Sequence, residues 1–406
     1  MTTVVESPEV LTLLTELTTL TGREDPYPRY ARLREISPIV RAGDNALVVT
    51  RHADCAAVTR DPKLGHMPAH MLAFVGFPDW AEHPALQQFF TSLIAQNPPD
   101  HTRLRRLVSS RFTARRVQEL RPAIEHMVGE LLDDLADSRE ADFVGAFAFP
   151  LPVNVIGELL GVPKEDRAQF QTLVRDWSQV LDIITPEVLK KADPAAQMMR
   201  DYLTGLAAER RRHPQDDLLS ALVSAEEEGD RLTEDELLTM AALLFAAGFE
   251  TTTNLLANGL VALLANPGQL PALAEDPVAA VEELLRFDSP VQIVGRVAWE
   301  PTTIAGVAIE PGDRLVAYLG AGNRDPERFA EPDRLDLRRA DNAPLSFGGG
   351  IHYCLGAPLA RLEAQVALPE LMRRLPRLAL AGGAERRNSL TLRGYTKLPV
   401  TTREGK

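Results

Sequence analysis

Apolar positions recur at helical spacing through residues 101 to about 286, the signature of amphipathic and buried helices. Pro150, Pro152, Pro163, Pro186, Pro194 and Pro214 punctuate this stretch, and each predicts a boundary, because proline offers no N–H and crowds the preceding turn. Ahead of it, residues 30–35 predict an early helix behind Pro26 and Pro28, and 39–50 predict two short strands around Gly43, Asp44 and Asn45. Beyond it, residues 302–319 alternate around the Pro311-Gly312 turn, and 390–400 is again β-like. The pattern predicts a mainly α fold with small β-sheets (α+β). Length alone allows two or three domains. However, no serine-rich spacer, charge block, low-complexity tract or repeat interrupts the pattern, so a single helix-rich domain over 1–406 is expected.

The longest predicted helix starts at Thr233, which forms a capping box with Glu236, and runs to Asn266, where Pro267 stops it. It would span about 50 Å, enough to cross a domain. Leu243, Leu244, Phe245, Phe249, Leu255 and Leu256 make it apolar nearly all round, which predicts burial. Yet its middle reads AAGFETTT, with Glu250 and Thr251 beside Gly248. One reading is a polar patch on an exposed face; the other is a buried groove carrying proton-transfer groups.

A second segment concentrates candidate chemistry. Residues 347–356 read FGGGIHYCLG, directly ahead of the strongly helical APLARLEAQVALPELMRRL. Cys354 there admits three readings. It can be a buried structural thiol, a nucleophile beside His352, or a soft metal ligand such as the thiolate of a haem protein. The following helix N-terminus is expected to lower the thiol pKa.

Bulk properties narrow the classes. Cys55 and Cys354 are the two cysteines, so there is no disulfide framework or paired-cysteine metal knuckle, which fits a reducing compartment. The formal net charge is −13, which argues against nucleic-acid binding. The first residues lack a basic start and apolar core, so no signal peptide is expected. The longest apolar run, 240–249, is too short to span a bilayer. One local exception to the acidity is 103–116, where six arginines fall in fourteen residues. It reads either as a solvated face or as a dock for an acidic protein.

Taken together, these segments resemble the cytochrome P450 family of haem-thiolate monooxygenases, in the family's order and over essentially the whole chain. FxxGxHxCxG is met by Phe347, Gly350, His352, Cys354 and Gly356; AGxET by Ala247, Gly248, Glu250 and Thr251; and ExxR by Glu283 and Arg286. FAEPDRL at 329–335 matches the segment that adds a second arginine, here Arg334, and NPPDHTRLRR at 97–106 matches the haem-propionate helix.

The resemblance implies a cytochrome P450 fold, with haem b (iron protoporphyrin IX) between the long helix and the cysteine-loop helix. It makes Cys354 the iron ligand, with Ala247, Gly248, Phe347, Gly348 and Gly356 around the cofactor. His101, Arg105, Arg296 and His352 would hold its propionates. Glu250 and Thr251 would deliver protons, and Glu283, Arg286 and Arg334 would form a structural ion cluster. Gly248 with Ala247 would leave room for dioxygen. Electrons would come from NAD(P)H through a ferredoxin reductase and a ferredoxin, docked on Arg103, Arg106, Arg111, Arg115 and Arg116. A cytoplasmic protein without nucleic-acid or membrane partners is implied. A non-catalytic haem-binding protein is the rival of another class, and the Glu250/Thr251 pair argues against it.

Family substrate regions fall at 66–96, on the long helix, at 291–295 and at 395–398. They select Trp80, Phe89, Thr239, Ala242, Leu243, Ala246, Val291, Val294 and Tyr395 as candidate substrate contacts. This lining is apolar, so a large apolar, aromatic or polyene-like substrate is expected. The chain looks similar to actinobacterial members that tailor polyketides in antibiotic biosynthesis. Through Trp80, Pro84, Phe89 and Thr239 it also looks similar to one that closes a tetrahydrofuran ring by successive oxidations. Hydroxylation of another macrolide, a terpenoid or a steroid-like compound is the alternative. Residues 66–96 are expected to move when substrate binds.

Overall fold

A computed structural model describes residues 4–43, 46–109, 112–182, 184–227 and 229–402. Asp44 and Asn45 of the expected turn, and Arg111 of the basic run, lie outside the described residues. The early helix, α1, covers Tyr27–Ile36, and the hairpin forms as β1 (Ile39–Arg41) antiparallel to β2 (Ala46–Val49). Helix α2 (His52–Arg60) and strand β3 (Leu64–Gly65) follow. Then come α3 (Pro84–Phe90), α4 (Asp100–Ser109), α5 (Arg121–Asp137) and α6 (Pro150–Leu160). The body is completed by α7 (Pro186–Arg212), α8 (Glu234–Ala265) and α9 (Pro277–Phe287). Strands β4 (Ile293–Ala298) and β5 (Arg314–Tyr318), helix α10 (Ala357–Arg374) and strand β6 (Tyr395–Lys397) close the chain's main elements.

The larger sheet runs β1-β2-β5-β4-β3, with β5 parallel to β2 and antiparallel to β4. Its alternate residues Ile39, Leu47, Val49, Leu315 and Ala317 turn inward onto Cys55, Ile304 and Ile309, as the two-residue strand period requires. The helices bury a separate and larger core.

Two features of α7 and α8 show packing overriding local signals. Pro194 sits inside α7 without ending it, although an internal proline costs about 3 kcal/mol. Leu189, Ala192, Ala195, Ala196, Met199 and Leu203 are buried along this helix, and their burial outweighs the lost hydrogen bond. Helix α8 begins with the expected capping box, Thr233 and Glu236 bonding each other's backbone N–H. By length and composition it could cross a membrane, but its most apolar stretch is 78% buried inside the fold, so it serves as the core helix. A Cβ on Gly259 would lie 3.2 Å from Leu368 on α10 and 3.5 Å from Leu284 on α9, so α8 packs closely on both.

The buried ion cluster forms, but with a different second arginine. Glu283 and Arg286 are both fully buried and joined by two bonds of 2.7 Å. Arg286 also donates to the carbonyls of Asn323, Pro332 and Arg334. Glu283 accepts from Asp336 N, Asn342 Nδ2 and Arg339 Nε, the last at 3.1 Å. The expected Arg334 instead points out to Glu331 with its side chain 59% exposed, and contributes only its carbonyl. The chain turns between the two arginines, and Arg339 is the one whose side chain folds back. Because the Glu283 carboxylate and the Arg286 guanidinium are each fully bonded, removing one partner strands a buried charge. Arg286→Met and Glu283→Ala are expected to lose about 3–5 kcal/mol, whereas Arg334→Ala stays within about 0.5 kcal/mol. Urea unfolding of the three variants checks this.

Candidate functional site

The cysteine loop is shaped by glycine where the backbone demands it. Gly348 and Gly350 hold φ of +69° and +63°, which side chains disfavour. A Cβ on Gly350 would also lie 2.7 Å from the Thr59 carbonyl at the end of α2. The turn is closed by Cys354 N donating to Phe347 O at 3.0 Å. Arg361, one turn into α10, places its guanidinium 4.4 Å from the Phe347 ring centroid and pairs with Glu282. Arg105 of α4 donates to Tyr353 O at 2.8 Å, tying the two segments together.

Cys354 keeps some accessible surface although it lies deep among surrounding atoms, as a side chain facing an interior cleft does. Burial pushes its thiol up from the ordinary cysteine value. The N–H groups of Gly356 and Ala357 and the charges of Arg105 and Arg361 pull the other way and do not win. The thiolate expected from the helix N-terminus alone therefore needs a bound cation, which deprotonates a coordinating thiol outright.

Beside the loop, basic groups converge. The His101 and His352 rings have centroids 4.1 Å apart with their planes tilted by 52°, and His66 meets His352 edge-on at 4.4 Å. Burial and then Arg105 depress His101 to about 4. Burial, His101, Arg296 and Arg105 depress His352 to about 3, and burial brings Arg296 down to about 10. Both ring nitrogens of His101, and Nε2 of His352 and His66, are buried with no hydrogen-bond partner. Among the described residues no carboxylate bonds to any of these side chains. Such a cluster disfavours protonation of its imidazoles and leaves donors unpaired, a cost of about 1–3 kcal/mol for each buried group. A ligand bearing two carboxylates relieves both defects, and the two propionates of haem fit that requirement.

The long helix supplies a second surface. Through the middle of α8 burial is broken where Leu244, Gly248 and Thr251 are half-buried and Ala247 is exposed, with Leu244, Ala247 and Thr251 forming a stripe at positions i, i+3 and i+7 of one face. The Thr251 hydroxyl lies on this stripe and donates to Ala247 O at 3.2 Å. Gly248 does not widen it, contrary to the expectation that this glycine leaves room there. Its missing Cβ points at Ile156 of α6, with 2.9 Å to Cγ1, so this glycine serves helix packing. Glu250 is 3% exposed and turned off the stripe into an ion pair with Arg387, a partner that no local motif announces. Burial and then the neighbouring Arg175 bring Arg387 down to about 10.

The basic run is largely spent within the molecule. Arg103 pairs with Glu236 and Asp230, Arg115 with Glu119, and Arg116 with Asp216. Of the expected substrate contacts, Trp80 and Phe89 are half-buried against the main core, and Val291 and Val294 against the sheet core. Thr239, Ala242, Leu243 and Ala246 lie inside the packing of α8. The Tyr395 ring is taken up by the Arg386 guanidinium, 3.9 Å from its centroid.

The segment between β3 and α4 is built of short pieces, the longest helix being α3, and α3 is clasped to α7. The His83 Nδ1 lies 2.7 Å from Asp193 Oδ2, and Ala85 N donates to Asp193 Oδ1 at 3.1 Å. The Asp193 bond, with the charges of Asp193 and Asp79, raises the His83 pKa above 6.5 despite some burial. A raised pKa means the clasp is complete below the ordinary histidine value and is lost as pH rises through the raised one. Protection of the 84–90 amides, corrected for the intrinsic base-catalysed exchange rate, is expected to be weaker above about pH 8 than below about pH 6, and His83→Gln is expected to abolish the difference.

A cysteine loop beside an unsatisfied dicarboxylate cradle, under a helix with one open stripe, is the architecture of a cysteine-ligated haem protein. The chain belongs to the cytochrome P450 family: the family model matches residues 72–276 and 278–391. It is 43% identical over 401 residues to cytochrome P450 107B1 of Saccharopolyspora erythraea, covering 93% of this chain and 95% of that protein. It is 40% identical over 394 residues to the 6-deoxyerythronolide B hydroxylase of the same organism, covering 93% and 96%. The solved structure of PksS, a cytochrome P450 of the Bacillus subtilis bacillaene polyketide synthase, superposes with a TM-score of 0.83 at 38% identity, covering 96% and 99%. The chain is thus a cytochrome P450 monooxygenase with the haem of its family.

Proposed function

We propose that this monooxygenase inserts one atom of dioxygen into a C–H bond of a large apolar polyketide, as a tailoring step in antibiotic biosynthesis. The open stripe of α8 carries the reading: Leu244, Ala247 and Thr251 offer an apolar surface with a single hydroxyl and no charge. The polyketide-biosynthesis relative PksS of Bacillus subtilis supports a polyketide, and the vitamin D(3) 25-hydroxylase of Pseudonocardia autotrophica, 43% identical, keeps a steroid-like compound as the alternative.

Bound haem b would supply the site at which dioxygen is activated. Cys354 would hold the iron, with Phe347, Gly348 and Gly356 framing the sulfur. His101, Arg105, Arg296 and His352 would take the propionates as charged or N–H donors. Ala247 would leave the space above the ring. The reaction consumes dioxygen, two electrons and two protons, and yields the alcohol and water. Thr251 would hold a proton at Oγ1 over the reacting site, and Glu250 would bring protons to it after leaving Arg387. The electrons would pass from NAD(P)H through a reductase and a ferredoxin in the cytoplasm.

A panel of polyketides, terpenoids and steroids titrated into the purified ferric protein tests the reading through the spin-state shift, followed by product analysis with ferredoxin and reductase. Shifts and hydroxylated products with polyketides support it. Shifts confined to terpenoids or steroids overturn the substrate class. The finer reading, successive oxidation and ring closure giving aureothin, rests on Trp80, Pro84, Phe89 and Thr239. It requires that the nitroaryl polyene pyrone precursor be cyclised, and the same assay would show that.

A further inference from the structure

We propose that His66 is a third imidazole of the cofactor cradle, donating a hydrogen bond from Nε2 to a haem propionate. This rests on the haem reading above and adds a residue outside the motifs that suggested it.

The backbone at this point is pinned. Asn97 accepts from His66 N at 2.8 Å and donates to His66 O at 2.9 Å. Gly65 lets the strand pass where a Cβ would lie 2.2 Å from Trp299 Nε1 and 2.5 Å from Asn97 Oδ1. So held, the His66 ring meets His352, which meets His101, in one row. A histidine that merely filled the core would be hydrogen-bonded, as buried polar groups are. Here Nε2 is buried without a partner, as are both ring nitrogens of His101 and Nε2 of His352. Three imidazoles and Arg296 share one cleft, and that arrangement has a purpose only toward an anion. A donor to a propionate also offsets its negative charge, which favours the reduced iron by lessening the repulsion of the added electron.

The test uses the purified holoprotein and three substitutions, His66→Phe, His66→Gln and Arg296→Ala. Haem release is followed by transfer to excess apomyoglobin, and the reduction potential by spectroelectrochemical titration. His66→Phe is expected to release haem about tenfold faster and to have a lower potential. His66→Gln, which keeps a donor, is expected to stay near the parent. The haem-free His66→Phe protein is expected to be at least as resistant to urea as the haem-free parent, because a buried nitrogen without a partner has been removed. Unchanged release and potential in His66→Phe, alongside faster release in Arg296→Ala, overturn the role of His66 and leave the haem reading intact. Equal release from the Phe and Gln variants overturns the donor role. A parent protein without thiolate-ligated haem overturns the reading beneath it.

Discussion

Cys354→Ser is expected to leave a folded protein that has lost oxygenation and the spectrum of a thiolate-ligated haem. The loop does not depend on the sulfur for its shape. Its closure is the backbone bond from Cys354 N to Phe347 O at 3.0 Å, together with the left-handed Gly348 and Gly350. Serine preserves the volume closely, so unfolding of the haem-free protein is expected to shift by no more than about 0.5 kcal/mol. What disappears is the soft anionic donor that pushes electron density to iron and favours O–O cleavage. The other cysteine cannot substitute. Cys55 is fully buried under the sheet and its Sγ donates to the carbonyls of Val49 and Tyr318. The absorption of the reduced, carbon-monoxide-bound protein decides the matter. A thiolate-type Soret band surviving in Cys354→Ser but lost in Cys55→Ala would contradict the assignment.

The second large effect is expected at Glu250. Glu250→Gln should slow product formation by about 10²-fold or more, with electrons diverted from product and an altered solvent deuterium isotope effect. The ion pair with Arg387 complicates this variant, because it leaves a guanidinium without its buried partner, a cost of about 3–5 kcal/mol. Arg387→Met separates the two effects. It breaks the same pair while keeping the carboxylate, so it is expected to lose comparable stability but to retain most of the proton-dependent turnover. If Arg387→Met loses turnover as fully as Glu250→Gln, the carboxylate matters for structure and not for proton transfer.

The fold and the cysteine loop were legible because their signals are local. The capping box at Thr233, the stop at Pro267 and the alternation of 39–50 each depend on neighbours in sequence, and the corresponding elements form. Where the sequence reading failed, the deciding contact was long-range. Pro194 looks like a breaker until the buried face of α7 is seen to hold the helix together. Arg334 sits in the right segment, but a turn presents Arg339 to Glu283. Gly248 marks a close approach, yet the approach is to Ile156 and not to the cofactor space. Arg387 lies in a C-terminal loop with no motif linking it to Glu250. His66 is the first residue of a segment assigned to substrate, and no motif links it to His101 or His352.

The sequence by itself determined the mainly helical architecture and, through its resemblance to the cytochrome P450 family, the class of chemistry. Those follow from residue type and short-range spacing, which chain connectivity preserves in any fold. Only the tertiary structure decided the partners: which arginine completes the Glu283 cluster, where Glu250 rests, and which basic groups converge on one cleft. Charges buried together must be satisfied in three dimensions, and the residues that satisfy them are brought together by packing over distances that spacing along the chain does not encode.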